Sequence, residues 1–202
     1  MQNHGGYTDT YYGFDNTVTA DKLNNSALDQ YLSLIKLTDE DLKSLIEYFS
    51  NVDEKTIVVF FGDHQPNDTV ASSVLAANGM DYNNLSNEEL KLRYQVPYVI
   101  WANYDIDAKS DVENVSANYL SSLMLQQTNL KMSRYNEFLL NMRNEVPALN
   151  ANGYVDKDGK NHELSENNEY TKLITQYQYL QYNSLMDKKH VSTDLFSVKD
   201  GK

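Results

Sequence analysis

The chain has 202 residues with 17 Lys and Arg against 29 Asp and Glu, a net charge of −12, and no Cys. That length supports one substantial core plus an appendage, and 41% hydrophobic with 23% charged residues is a globular composition. The acidic balance excludes nucleic acid as a partner and electrostatic attachment to an anionic membrane surface, both of which need clustered Lys and Arg; the lack of Cys removes disulfides, thiolate metal sites and Cys nucleophiles.

Residues 5–25 carry Gly5, Gly6, Gly13 and several Asn, Asp and Tyr without periodicity, which predicts an ordered, aromatic-rich loop. No basic segment followed by an apolar one occurs from Met1 to Gly6, so no signal peptide is expected within it. From Leu28 the pattern changes. Leu28, Tyr31, Leu32 and Ile35, then Leu42, Leu45, Ile46 and Phe49, form one amphipathic stripe and predict a helix over Ser26 to Ser50. Thr38 and Asp41 resemble a fresh capping pattern, but the unbroken stripe argues for a single helix.

After a polar turn, Thr56-Ile57-Val58-Val59-Phe60-Phe61 predicts a strand buried on both faces, as in a parallel sheet covered by helices. Its apolar stretch is far below the roughly 20 residues needed to span a bilayer. Residues 67–92 read as a surface excursion with short helices, and 96–101 as a second strand with Pro97 near its start. Further helices are expected over 116–127, 133–144 and 170–186, with a hairpin turn at Asp158-Gly159. That turn has too few acidic positions for an EF-hand loop. His162 and His190 read as isolated, solvated residues, and the four Asn-x-Ser/Thr sequons as chance products of an Asn-rich chain.

The chemistry-bearing segment is Gly62-Asp63-His64, just past the end of a hydrophobic strand, where ligand sites of α/β sheets lie. A carboxylate oxygen and an imidazole nitrogen suit a divalent ion, and Gly62 permits the tight bend that lets neighbours converge. The pair is read equally well as a turn cap beside a hydrogen-bonded loop histidine. A second segment, Gln2-Asn3-His4-Gly5-Gly6, places a His beside glycines that allow close backbone approach to a ligand; the alternative is a solvated terminal His. Trp101, the only Trp, ends a strand near the expected site and is either a groove wall or a partly buried core residue.

Taken in order, Gln2-Asn3-His4-Gly5, Tyr31-Leu32 with Thr38-Asp39, and Val58-Val59-Phe60-Phe61-Gly62-Asp63-His64 resemble the lipoteichoic acid synthase-type phosphoglycerol transferases, within the sulfatase and alkaline phosphatase superfamily. Val96-Pro97-Tyr98-Val99-Ile100-Trp101 is similar to the Val-Pro strand that follows in sulfatase-like enzymes, so the likeness covers residues 1–145. The resemblance implies an α/β protein, a truncated alkaline phosphatase-like α/β/α sandwich. Residues 1–148 would be the carboxy-terminal part of the catalytic domain and 149–202 a hairpin and helix appendage. It implies Asp63 and His64 as two ligands of a divalent metal, manganese first with magnesium or zinc as alternatives, and His4 as a contact of the substrate phosphate or sulfate.

The same resemblance implies a parent anchored by amino-terminal transmembrane helices at the extracytoplasmic face of a bacterial membrane. It would transfer glycerophosphate from a lipid donor through a Thr nucleophile. That Thr and an acidic metal ligand have no counterpart in this sequence, so no catalytic nucleophile is assigned and the chain alone is expected to be inactive. Met1 falls within the family motif and reads as a truncation or start-codon boundary. A phosphate or sulfate ester hydrolase is the close rival. A non-catalytic module binding an anionic surface polymer is the rival of another class, and the net charge of −12 disfavours it. A sheet divided through its middle leaves edges uncovered, which predicts self-association or a rearranged fold.

Overall fold

Helix α1, Ser26–Ser50, is the longest element of the computed structural model, which describes residues 6–7, 14–108, 114–187 and 189–198. Asn25 caps it, its side chain accepting from Leu28 N at 3.1 Å, and Asp29 places a negative charge in the first turn. The helix runs unbroken through Thr38, whose hydroxyl donates back to Leu34 O at 3.1 Å instead of capping a new start. Its amino-terminal half is the buried half. Leu28 and Leu34 join Ala27, Val70 and Tyr7 in a core cluster, and fully buried Ser33 accepts from Thr17 N and Val18 N at 2.9 and 3.0 Å, pinning the preceding loop to the helix. Tyr7 takes a left-handed φ of 54°, uncommon for a bulky residue, and packs edge-on against Tyr31 at 5.3 Å.

Strand β1, Ile57–Phe61, pairs antiparallel with β2, Tyr98–Ala102, with Val59 opposite Ile100. This corrects the expectation of a strand buried on both faces of a parallel sheet. Ile57 to Phe60 are half-buried and Phe61 is 54% exposed. A continuous apolar run reports that a strand avoids water, whereas strand direction is decided by the connection. Here the 62–97 segment returns to the same end of β1, Gly62 N donating to Pro97 O at 3.0 Å. At the other end Asn103 joins strand to helix: it accepts from Thr56 N at 2.8 Å and its Nδ2 reaches Phe49 O and Val52 O at 3.1 and 2.8 Å. The connection carries α2, Asp68–Ala77, which packs on α1, and α3, Asn87–Leu92, which opens with a capping box of Ser86 and Glu89.

Contacts divide the chain into Met1–Tyr104 and Asp105–Lys202. In the second unit a single 3-10 turn, Ala117–Tyr119, leads into α4, Leu120–Gln127, followed by α5, Arg134–Glu145. Tyr119 is fully buried there, and its hydroxyl donates to Val146 O at 2.8 Å, so a polar tip is satisfied inside an apolar setting. Burial pushes that phenol well above its ordinary range. A three-stranded antiparallel sheet follows: β3, Ala148–Asn150, β4, Gly153–Val155, and β5, Asn161–His162. Gly159 turns the β4–β5 hairpin at φ 80°, as the Asp-Gly pair predicts. Helices α6, Thr171–Leu185, and α7, Thr193–Phe196, complete the unit, α6 burying Ile174 and Tyr177.

Candidate functional site

Beyond Phe61 the chain turns through Gly62 into Asp63 and His64. A Cβ at Gly62 would lie 2.9 Å from Val96 Cβ, so only glycine lets the loop approach the returning chain this closely. Asp63 Oδ1 accepts from His64 N at 2.9 Å, which orients the carboxylate over the next residue. His64 Nδ1 lies 2.8 Å from Gln65 O; facing a carbonyl, that nitrogen donates, and Nε2 lies 3.7 Å from Asp63 Oδ2. A metal-ligating histidine is held in this way, one ring nitrogen anchored to a carbonyl and the other presented. Both side chains are exposed, Asp63 by 80% and His64 by 59%.

The flanking residues fasten this loop. The Gln65 side-chain amide donates to Gln95 O. Asn67 caps α2 by accepting from Val70 N at 3.4 Å, and its Nδ2 donates to Gly6 O at 3.1 Å. Gly6 is thus tied to the loop that bears Asp63 and His64. His4 lies outside the described residues, with the remainder of 1–5 and 8–13. Among the described residues no group of three His, Asp or Glu side chains is placed to hold a metal. Asp63 and His64 fit a divalent ion by donor chemistry, as two members of a larger set.

Trp101 is not beside this loop. In the antiparallel register it faces Val58, whereas Tyr98 faces Phe61, so Trp101 stands three residues, about 10 Å, back from the Gly62 end. Its expected placement assumed strands running the same way.

A second grouping overturns the reading of His162 as solvated. Its side chain is 6% exposed, Nε2 lies 2.8 Å from Asp156 Oδ2, and Nδ1 lies 2.7 Å from Glu166 Oε2. Both nitrogens must donate, so the ring is an imidazolium, its pKa raised first by the bond to Asp156 and then by the bond to Glu166. Burial works against ionisation of Asp156, but bonds from His162 and from the backbone N–H groups of Lys160 and Asp158 outweigh it and hold the carboxyl low. The His162 bond likewise lowers Glu166. Tyr154 stacks on the imidazole with centroids 4.9 Å apart, and its hydroxyl bonds Asn168 at 2.9 Å. With both nitrogens engaged and the ring covered, this is a clamp on the hairpin and not a reactive centre. The signal was present in the sequence: an Asp-Gly turn folds Asp156 back toward His162, and Glu166 follows four residues later.

Beside this hydrophobic strand ending in an exposed carboxylate–imidazole loop stands a match in sequence: the Sulfatase family model matches residues 1–130. The chain belongs to that family. The structure of the Streptococcus pyogenes phosphoglycerol transferase GacH in complex with sn-glycerol-1-phosphate superposes with a TM-score of 0.65 at 19% identity, covering 98% of this chain and 46% of GacH. That likeness shows the fold, a partial alkaline phosphatase-like α/β architecture. A protein from Rhizobium meliloti (strain 1021) named for cyclic beta-1,2-glucan modification is 26% identical over 203 residues, 97% of this chain and 31% of the relative. The chain spans less than half the length of each of these proteins.

Proposed function

We propose that this chain forms the carboxy-terminal part of the catalytic domain of a phosphoglycerol transferase at the extracytoplasmic face of a bacterial membrane, with residues 149–202 as its appendage. The observation that carries the reading is the Asp63–His64 pair, exposed after Gly62 with the His64 tautomer set by Gln65 O. Asp63 and the Nε2 of His64 would hold a divalent metal, manganese first with magnesium or zinc as alternatives. Such an ion, when bound, neutralises charge on a phosphoryl group and activates a hydroxyl nucleophile. His4, as the family resemblance implies, would hydrogen-bond a non-bridging phosphoryl oxygen. A Thr outside this sequence would accept glycerophosphate from a lipid donor and pass it on.

The names of the two relatives favour transfer over hydrolysis and a saccharide hydroxyl as acceptor, since one is a phosphoglycerol transferase and the other modifies a glucan. Phe61 and Val99, 54% and 46% exposed on the two-stranded sheet, support self-association of the isolated chain. The test is phosphoglycerol transfer by the full parent protein to a beta-glucan, followed by 31P NMR, for wild type, Asp63→Ala and His64→Ala. Both variants should lose activity by about 100-fold or more. Retained activity in both would overturn the reading, and release of glycerophosphate to water without transfer would select the hydrolase.

A further inference from the structure

The Asp63–His64 loop is exposed, so side-chain packing does little to hold it. What holds it is a strap formed by residues 93–97. Gly62 N donates to Pro97 O at 3.0 Å, Gln65 Nε2 donates to Gln95 O, and an Arg93 guanidinium nitrogen donates to Asp68 Oδ1 at 3.1 Å. These contacts advance along the loop as they recede along the strap, prolonging the β1–β2 register in which Phe61 faces Tyr98. The first two are single bonds of modest strength. The third is a charged pair at the far end, and the Arg93 side chain is only 19% exposed although that of Asp68 is 70% exposed.

Arg93 is itself fixed. Its guanidinium lies over the Tyr82 ring, 5.7 Å from the centroid, and the Asp68 carboxylate is the first cause that raises the pKa of the Tyr82 phenol. Asp68 in turn occupies the first turn of α2, where a negative charge is favoured. A flat guanidinium meets both demands, stacking on the ring and donating to the carboxylate, which an ammonium does less well.

We propose that Arg93 is a positioning residue that closes the strap on the 62–68 loop and so sets the geometry of the Asp63–His64 donor pair. The inference rests on the metal-binding reading of that pair. Donor geometry held too loosely by about 1 Å is enough to weaken a site, and partners one layer removed from the ligands are worth about 10-fold or more in metal affinity.

The experiment uses the full parent protein with Arg93→Met, which keeps the stem but removes the bond, and Arg93→Lys. Amide hydrogen exchange is followed over 62–68 and over α1, and Mn(II) affinity is followed by electron paramagnetic resonance. Arg93→Met should raise exchange in 62–68 with α1 unchanged and weaken Mn(II) binding about 10-fold, with Arg93→Lys recovering part of both. Unchanged exchange in 62–68 overturns the proposal, as does a rise shared equally by α1, which would make Arg93 a general stabiliser. Failure of the wild type to bind Mn(II) would sink the metal reading instead, and the exchange data would still decide whether Arg93 holds the loop.

Discussion

Asp63 and His64 stand in water with 3.7 Å between Oδ2 and Nε2, whereas Asp156, His162 and Glu166 close to 2.7 and 2.8 Å around an imidazole 6% exposed. Both places set an imidazole beside a carboxylate, with a second carboxylate, Glu166, only in the hairpin. In the hairpin, burial makes an unpaired charge costly, so both ring nitrogens of His162 are engaged by carboxylates and the cluster serves the fold. On the loop, solvent pays that cost, and the His64 ring is anchored by one nitrogen to a carbonyl while the other points away from it. Exposure leaves the pair accessible from solvent; enclosure does not.

The sharpest way to break the comparison is to remove one carboxylate from each grouping. Asp63→Ala should abolish transfer by the parent protein, about 100-fold or more, while its thermal midpoint stays put, because an exposed side chain contributes little to stability. Asp156→Ala should do the reverse. It strands an enclosed imidazolium and frees the backbone N–H groups of Lys160 and Asp158, so thermal unfolding of the 105–202 unit should shift down more than for any other single polar substitution there. Equal stability losses in the two variants would erase the distinction.

Gly62→Ala gives an intermediate effect. The added methyl would sit 2.9 Å from Val96 Cβ, and the strap must move to admit it, at a cost of about 1–3 kcal/mol measurable by denaturant unfolding. A stability within 0.5 kcal/mol of wild type would show that the loop yields freely and is not braced by the returning chain.

The pH dependence sharpens the same contrast. His162 has its pKa raised above 6.5, so its contribution is fully present below 6.5 and is lost as pH rises through the folded value. Asp156 and Glu166 are lowered from 3.8 and 4.5, so theirs is present above those values and is lost as pH falls through the folded ones. The clamp is therefore at full strength between pH 4.5 and 6.5. Differential unfolding of wild type and His162→Gln across pH should show the largest gap in that window, narrowing on both sides; a gap that widens above pH 8 would mean the ring is neutral when folded.

Much of this was legible in the residues, and the boundary of legibility is physical. The α1 limits follow from a stripe and a cap that are local, and the Asp158-Gly159 turn from φ preference, also local. Gly62-Asp63-His64 could be located as a unit because its members are contiguous. Strand direction could not, since Ile57 to Phe61 is equally apolar in either sense, and the misplacement of Trp101 followed from it. The enclosure of His162 was missed because it depends on Tyr154, Asp156, Glu166 and Asn168 converging through the hairpin, a non-local event that residue spacing alone only hints at.

The smallest expected effect comes from the third described histidine. His190 Nδ1 lies 2.8 Å from Asp187 Oδ1, as short as the contacts of His162, yet the ring is 78% exposed. If contact distance governed the contribution, His190→Gln would cost as much as His162→Gln. If enclosure governs it, solvent and salt screen the pair, and the substitution should leave the unfolding midpoint within about 0.5 kcal/mol of wild type at any pH from 4.5 to 8. Measuring the two variants side by side at pH 5.5 separates the explanations, because the two contacts are equally short and the exposure of the rings differs.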